Sequence, residues 1–160
     1  MAEIGKKALR SWRRLEKAHA LVAAAMRDLK ARDLPPLIWL RALDEIARSD
    51  EGLRPFQLQQ ALAIEQPAVS RLLEKIFAAS LIVRTECDED RRGWTVSLTE
   101  KGRDMRDRMS EVYTEVLSRH FLAHVSDKQA RNLDEALGDL LDGLRDRPSV
   151  SSGPASPGAR

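Results

Sequence analysis

Cysteine is almost absent from this sequence of 160 residues, in which Cys87 is the only one. A single cysteine cannot form a disulfide within the chain, so nothing indicates an oxidising compartment. Aromatic residues make up only 4% of the chain. No apolar run approaches the roughly 18 residues of a membrane span, and no apolar signal-peptide core follows the basic N-terminal residues. These absences predict a cytoplasmic protein without a membrane partner.

Motifs of the common catalytic sites are missing as well. Ser, His and Asp all occur, but there is no nucleophile elbow, glycine-rich phosphate loop or paired-carboxylate motif. The lone cysteine, Cys87, is surrounded by four acids: Glu86, Asp88, Glu89 and Asp90. Their negative charge disfavours the reactive thiolate, which favours a passive cysteine over a thiol switch. We therefore expect no enzymatic activity and no cofactor.

The length and charge of the chain favour one helical domain. A length of 160 residues is typical of a single domain with its own core. Charged residues make up 32% of the sequence, as in helices with solvated faces. The net charge is only +2, but Lys and Arg are concentrated in the first 32 residues. We interpret this basic segment as a solvated helix face, with a phosphate-binding arm as the alternative.

The segment 67–79 has the pattern of an amphipathic helix. Apolar residues recur at spacings of three and four and predict a buried face formed by Val69, Leu72, Leu73, Ile76 and Phe77. The opposite face is polar and basic near its N-terminal end, where a helix in the DNA major groove contacts bases and phosphates. The residues predicted to contact DNA there are Gln66, Pro67, Ala68, Ser70, Arg71, Glu74 and Lys75.

A second short helix is predicted just upstream, at residues 55–62. The connection 63–66 is short enough to force an angle between the two helices, as in a helix-turn-helix. Ala63 stands where such turns often contain glycine. Pro67 suits the first turn of the second helix, because its missing N–H would have no partner there.

Two alternating, β-branched segments follow at residues 81–86 and 94–98 and predict a hairpin. Its tip contains Asp90, Arg91 and Arg92. We expect Asp90 to hold one arginine outward, because a guanidinium with a fixed partner loses less entropy on contact. Arg84 in the first strand is expected to contact phosphates. This order of elements predicts a winged helix-turn-helix that binds double-stranded DNA.

The hairpin and the second helix resemble those of a known family. Asp90-Arg91-Arg92-Gly93 followed by Val96-Ser97-Leu98-Thr99-Glu100-Lys101-Gly102 resembles the wing signature of the MarR (multiple antibiotic resistance regulator) family of bacterial transcription factors. The run Val69-Ser70-Arg71-Leu72-Leu73 resembles the centre of that family's recognition helix. The resemblance implies that Arg92 enters the minor groove and that Asp90 orients it.

Both ends of the chain carry apolar seams. Seven residues within 6–32 alternate in spacing between four and three, the repeat of a coiled coil: Ala8, Trp12, Leu15, His19, Val22, Met26 and Leu29. Five residues near the other end are spaced similarly: Ala130, Leu133, Leu137, Leu140 and Leu144. We interpret residues 6–32 and 100–145 as the dimerisation helices of a homodimer. Packing of both seams on the chain's own core is the alternative.

Together these features predict a mainly α fold with one β-hairpin wing and a helical dimerisation region from both termini. The winged helix-turn-helix spans about 35–99 within a single domain at 1–147. A helix is predicted at 37–49, with Trp39 off its apolar stripe, and Thr99 is the predicted N-cap of a long helix to Phe121. Residues 148–160 have little to bury and are predicted to be a disordered tail.

Two further sites are weighed against simpler interpretations. Five residues could converge where dimer helices meet the DNA-binding segment, the place where such regulators bind small aromatic effectors: Trp12, His19, Trp39, Arg41 and Tyr113. Aromatic residues at helical spacing are more often part of the core. His120 and His124 lie four apart at the end of the long helix, but no third ligand is indicated by spacing, so no metal is predicted.

The leading hypothesis is a homodimeric, sequence-specific regulator of transcription. It would repress through a pseudo-palindromic operator, and a small-molecule effector could release it. The alternative is a winged-helix module that contacts other proteins without sequence-specific DNA binding.

Overall fold

The computed structural model describes residues 5–25, 32–87 and 90–145. The described residues divide into two compact units, one within 1–121 and the other within 122–160. The first unit comprises α1 (Lys6–Ala25), α2 (Leu37–Ala47), α3 (Pro55–Leu62), α4 (Gln66–Ala78), β1 (Ile82–Cys87), β2 (Asp90–Leu98) and α5 (Glu100–His120). The second comprises a 3-10 turn (Leu122–His124) and α6 (Asp127–Arg145). Within the described ranges, no helix is both long and apolar enough to cross a membrane.

Helix α4 forms where the sequence has its spacing of three and four. Val69, Leu73 and Ile76 are almost completely buried in the main core, as the periodicity predicts. Phe77 is 46% exposed, so its prediction as a core residue is wrong. An α-helix turns by about 100° per residue, so Phe77, one step after Ile76, projects beyond the edge of the core.

The turn between α3 and α4 contains a left-handed residue. Ala63 ends α3 with φ 51° and ψ 45°, a conformation that residues with a Cβ rarely adopt. Its N–H donates to the carbonyl of Gln60 at 3.3 Å, which completes the end of the helix. Pro67 lies in the first turn of α4, as predicted. The sequence therefore has alanine at the one position of this turn where glycine would be unstrained.

Replacing Ala63 with glycine is expected to raise the free energy of unfolding by about 0.5–1 kcal/mol. The left-handed conformation costs a residue with a Cβ roughly 1–2 kcal/mol, of which the greater backbone entropy of unfolded glycine offsets about half. Urea denaturation of Ala63→Gly measures the change. The matched control is Ala61→Gly, because Ala61 is also exposed but lies within α3, where glycine costs about 0.5–1 kcal/mol. Destabilisation by both substitutions would contradict the prediction.

The hairpin is an antiparallel pair. It runs from Ile82 opposite Leu98 to Glu86 opposite Trp94, as the alternating segments predict. Both strands extend further toward the tip than predicted, to Cys87 in β1 and from Asp90 in β2. Leu53 adds an isolated bridge, exchanging two N–H···O bonds of 2.9 Å with Val96. An isolated bridge at one residue produces no alternation of apolar and polar residues along the sequence, so the bridge at Leu53 was not predicted.

Two clusters of buried side chains stabilise the first unit. The larger joins α2, α3, α4 and the hairpin, and the smaller joins α2 to α5 through Leu40, Met109 and Val116. Trp39 packs against both clusters although it lies off the main apolar stripe of α2. Helix α2 is therefore covered on two sides, which connects α3, α4 and the hairpin to α5.

Helix α5 begins as the sequence predicts. The Thr99 hydroxyl oxygen accepts from the N–H of Gly102 at 2.9 Å, and the hydroxyl donates to the carbonyl of Ser80 at 2.8 Å. The helix ends at His120, so His124 lies in the following 3-10 turn and not in the same helix, which corrects the expectation. The predicted extension of the first helix to 32 and the predicted tail at 148–160 fall on residues outside the described ranges, at 26–31 and 146–160.

Candidate DNA-binding surface

The polar face of α4 is exposed over its first two and a half turns. Its buried residues occupy one side of the helix and hold it against the core, so the remaining positions point to solvent. All seven α4 residues predicted to contact DNA are exposed: Gln66, Pro67, Ala68, Ser70, Arg71, Glu74 and Lys75. The structure thus brings this part of the predicted set together on one surface.

Arg71 is held close to the start of this surface. Its Nε donates to the carbonyl of Pro67 at 3.0 Å, one helical turn earlier. Among the described residues no salt bridge joins Arg71 to Glu74, so pairing with Glu74 does not occupy the guanidinium. Arg71 therefore presents a restrained positive charge, which loses less entropy on contact with a base or phosphate than a freely rotating side chain would.

A groove of about 500 Å³ lies beside the start of α4. The sequence analysis did not identify it, because it is built from three elements that are distant in sequence. Its walls come from the start of α3, the start of α4 and β2: Arg54, Pro55, Phe56, Gln59, Gln66, Val69, Ser70, Gly93 and Trp94. Phe56 is 54% exposed. An aromatic residue in the first turn of a polar helix was the one feature of the sequence that could have indicated this groove.

Arg84 lies where the hairpin meets the end of α4. Its Cζ atom is 4.7 Å from the ring centroid of Phe77 and 4.6 Å from that of Trp94. The side chain is exposed beside the last turn of α4. The aromatic partners were not predicted from the sequence, since Phe77 was assigned to the core.

The tip of the wing is described only in part. The backbone of Asp90, Arg91 and Arg92 belongs to β2. Their side chains and residues 88–89 are outside the described part of the structure, as is the predicted contact between Asp90 and an arginine. The side chain of Cys87 is also outside it. The contribution of these arginines to the surface stays a prediction from the sequence.

The five residues considered for an effector site are distributed over three helices. Trp12 and His19 are exposed on α1, and Arg41 is exposed on α2. Trp39 and Tyr113 are half-buried, and both pack against the smaller core cluster. Trp39 also lines a cavity of about 430 Å³ with residues of α2, α4 and the turn between α3 and α4, including Arg71 and Lys75. The structure therefore groups Trp39 with Tyr113 through the core, and with the α4 surface through this cavity.

Two carboxyl groups with shifted pKa values lie outside the α4 surface. A hydrogen bond from Arg32 is the main cause that lowers the pKa of Glu115 on α5; the shortest N···O distance is 2.9 Å. Burial is the main cause that raises the pKa of Asp44 on α2. Among the described residues no cluster of three His, Cys, Asp or Glu could hold a metal ion. The two carboxyl groups with shifted pKa values, Asp44 and Glu115, are thus not among the residues of the α4 surface.

Comparison with known proteins agrees with this arrangement. Residues 32–93, which include α2, α3, α4, β1 and the start of β2, match the sequence model described as "MarR family". Residues 32–93 therefore belong to the MarR family. The family resemblance of the helix and hairpin motifs is confirmed over this segment.

A curated relative extends the comparison beyond the matched segment. The chain is 26% identical over 92 residues to the HTH-type transcriptional regulator SarZ of Staphylococcus epidermidis, a match that covers 58% of the chain and 60% of SarZ. The chain thus spans about 60% of the length of this relative. By its name, SarZ is a transcriptional regulator of the HTH type.

Solved structures share the fold over nearly the whole chain. Sco3205 of Streptomyces coelicolor, a MarR-family regulator in complex with DNA, has a TM-score of 0.82 at 20% identity and covers 95% of each chain. BpsR of Bordetella bronchiseptica, whose DNA binding is regulated by 6-hydroxynicotinic acid, has a TM-score of 0.67 at 20% identity, covering 84% of this chain and 91% of BpsR. At these identities the likeness establishes the winged helix-turn-helix fold alone.

Proposed function

We propose that this chain is a homodimeric, sequence-specific DNA-binding regulator of transcription, acting as a repressor at a pseudo-palindromic operator. The observation that carries the proposal is the exposed polar face of α4, which is supported from behind by Val69, Leu73 and Ile76 and flanked by the hairpin. A rigid helix with donors and amides on its outer face is suited to the major groove. Chromosomal DNA as ligand implies a cytoplasmic site of action.

The contacts can be assigned by chemistry. Ser70 and Arg71 are positioned to read base edges or bind phosphate, and Lys75 to bind phosphate. Arg91 and Arg92 of the wing would reach the flanking minor groove. Two-fold symmetry then requires half-sites about one helical turn apart, roughly 34 Å.

Exposed apolar residues support a dimer. In the first unit α1 exposes Leu9, Trp12 and Leu21, and in the second unit α6 exposes a separate set: Leu140, Leu141 and Leu144. Apolar residues that recur along one helix favour burial against a partner. A second copy of the chain supplies that partner with the symmetry that a palindromic operator needs.

We also propose that a small aromatic effector regulates the DNA binding of this chain. BpsR, which shares the fold, is regulated by 6-hydroxynicotinic acid. In this chain Trp39 and Tyr113 pack against the same core cluster between α2 and α5, with Trp12, His19 and Arg41 as further candidates. Quenching of tryptophan fluorescence by phenolic or pyridine carboxylates tests for such a site, and failure of these ligands to quench it would count against it.

Fluorescence anisotropy tests the proposed function directly. The purified protein is titrated against a duplex from the region upstream of its own gene and against a scrambled duplex, each at two salt concentrations. We expect selective binding that weakens steeply with salt, because arginine and lysine contacts release counterions from phosphate.

The rival function, a winged-helix module that contacts proteins alone, predicts a different result. In that case the protein would bind the upstream duplex no more tightly than the scrambled duplex. Genomic fragments that are selected by binding to the protein would also be bound no more tightly than the scrambled duplex. For a DNA-binding regulator, Arg92→Ala should reduce affinity for the upstream duplex and flatten its salt dependence. In the rival case the same substitution leaves function intact.

A further inference from the structure

Arg84 occupies an unusual position on the hairpin. Side chains alternate between the two faces of a strand, so Arg84 shares the face of Ile82, which is 2% exposed and lies in the main core. Its partner across the hairpin is Val96, which is fully buried. Arg84 therefore lies on the core-facing side of its strand, at the edge of the core. A charged guanidinium at this place needs partners that can stabilise it.

The antiparallel register supplies one of these partners. Trp94 lies opposite Glu86, so it is the diagonal neighbour of Arg84. Diagonal positions are within reach of aromatic and long side chains. The second partner, Phe77, comes from the last turn of α4. With the guanidinium carbon 4.6 Å and 4.7 Å from the two ring centroids, both distances are within the range of a cation–π contact.

The end of α4 is itself a fixed point. The Lys101 ammonium donates to the carbonyl of Ala79 at 2.9 Å, and the Thr99 hydroxyl donates to the carbonyl of Ser80 at 2.8 Å. These bonds attach the residues directly after α4 to the start of α5. A hairpin tied to Phe77 is therefore tied to a helix end that is itself hydrogen-bonded to the start of α5.

We propose that Arg84 is a positioning residue that ties the wing to the end of α4 through Phe77 and Trp94, and so fixes the orientation of the wing for DNA. The proposal rests on the proposed function. It differs from the assignment of Arg84 to phosphate, because the guanidinium then acts through the orientation of Arg91 and Arg92.

The geometry of the wing explains why a tie at this place has an effect. Arg92 lies two residues beyond Trp94 along β2, which corresponds to about 7 Å of strand. Trp94 thus anchors the hairpin close to its tip, and loss of its contact with Arg84 would leave the residues beyond it freer to move about the root of the hairpin. Binding DNA would then have to order the wing, and that entropy would reduce affinity.

Substitutions that change no charge distinguish a positioning role of Arg84 from its direct contact with phosphate. Phe77→Leu removes one ring without changing any charge, and Phe77 is exposed enough for the exchange to leave the core intact. We expect a 3- to 5-fold loss of affinity for operator DNA, equivalent to an exposed cation–π contact, with an unchanged slope of log K against log salt. Phe77→Tyr keeps the ring and should restore affinity. Arg84→Gln should have a larger effect that is not additive with Phe77→Leu.

Two results would overturn the proposal. If Phe77→Leu binds as tightly as the wild type while Arg84→Gln reduces the salt slope by about one, Arg84 is a phosphate contact and not a positioning residue. Equal loss in Phe77→Leu and Phe77→Tyr would also overturn it, because the tyrosine ring preserves the cation–π contact.

Measurements on the free protein keep this test independent of DNA binding. The indole N–H resonance of Trp94, assigned with Trp94→Phe, should shift in both Arg84→Gln and Phe77→Leu, and backbone ¹⁵N order parameters of residues 93–97 should fall. Unchanged resonances and order parameters would overturn the tie. If these changes appear but no duplex is bound selectively, the proposed function fails while the contact between wing and α4 stands.

Discussion

Replacing Gly102 with alanine is expected to lower the free energy of unfolding by about 3 kcal/mol or more, the upper end of the range for overpacking a filled site. Gly102 is buried in the first turn of α5, where its N–H donates to the Thr99 hydroxyl oxygen. A Cβ at this position would lie 2.9 Å from the carbonyl carbon of Leu81 and still closer to its oxygen. That carbonyl accepts the N–H of Thr99 at 3.0 Å, so it cannot move without breaking the junction.

Gly138 provides the control for this substitution. It lies within α6, and a Cβ added there would meet nothing within 4 Å. Gly138→Ala is therefore expected to raise stability by about 0.5–1 kcal/mol, the helix propensity difference between the two residues. Thermal and urea denaturation of both variants measure the changes. A loss below about 1 kcal/mol for Gly102→Ala would show that the strand and helix can separate at little cost.

Replacing Arg71 with alanine is expected to weaken binding to operator DNA by roughly 10- to 100-fold, the range for an arginine that contacts base edges or phosphate. Arg71 is exposed at the centre of the α4 surface, and its bond to the Pro67 carbonyl restricts the orientations of its guanidinium. If it binds phosphate, the slope of log K against log salt should fall by about one. If it reads a base, selectivity over the scrambled duplex should fall instead.

Arg108→Ala is the control for the loss of one positive charge. Arg108 is exposed on α5, outside the α4 surface, so its removal should change affinity by less than about 2-fold at moderate salt. Anisotropy titrations at several salt concentrations compare the two variants. Equal effects of the two substitutions would mean that Arg71 acts only through net charge, and the assignment of α4 as the recognition helix would be wrong.

Local pattern predicted the elements of the DNA-binding segment well. The spacing of Val69, Leu72, Leu73 and Ile76 indicated both the helix and its buried side, and alternation in the two strands indicated the hairpin. The cap at Thr99 was also predictable, because it depends on residues three apart. These features are local, so neighbouring residues contain most of the information that specifies them.

The errors occurred where the environment depends on distant residues. Phe77 continues the apolar pattern of α4, but it is 46% exposed and the Arg84 guanidinium packs on its ring. Trp39 is off the main stripe of α2, yet it contacts a second cluster because α5 covers another side of that helix. The groove at Phe56 and Trp94 requires α3 and β2 to meet, which no local period indicates.

The sequence by itself determined the helix-turn-helix, the hairpin, the polar face of α4 and the likeness to the MarR family, because hydrophobic period and cap chemistry act over a few residues. Only the tertiary structure decided which of the apolar and charged side chains meet. It placed the Arg84 guanidinium of the hairpin against Phe77 at the end of α4, and it left no room for a Cβ at Gly102 by bringing the Leu81 carbonyl against it. Both contacts join residues about 7 to 21 positions apart, and such contacts form only when whole elements pack together.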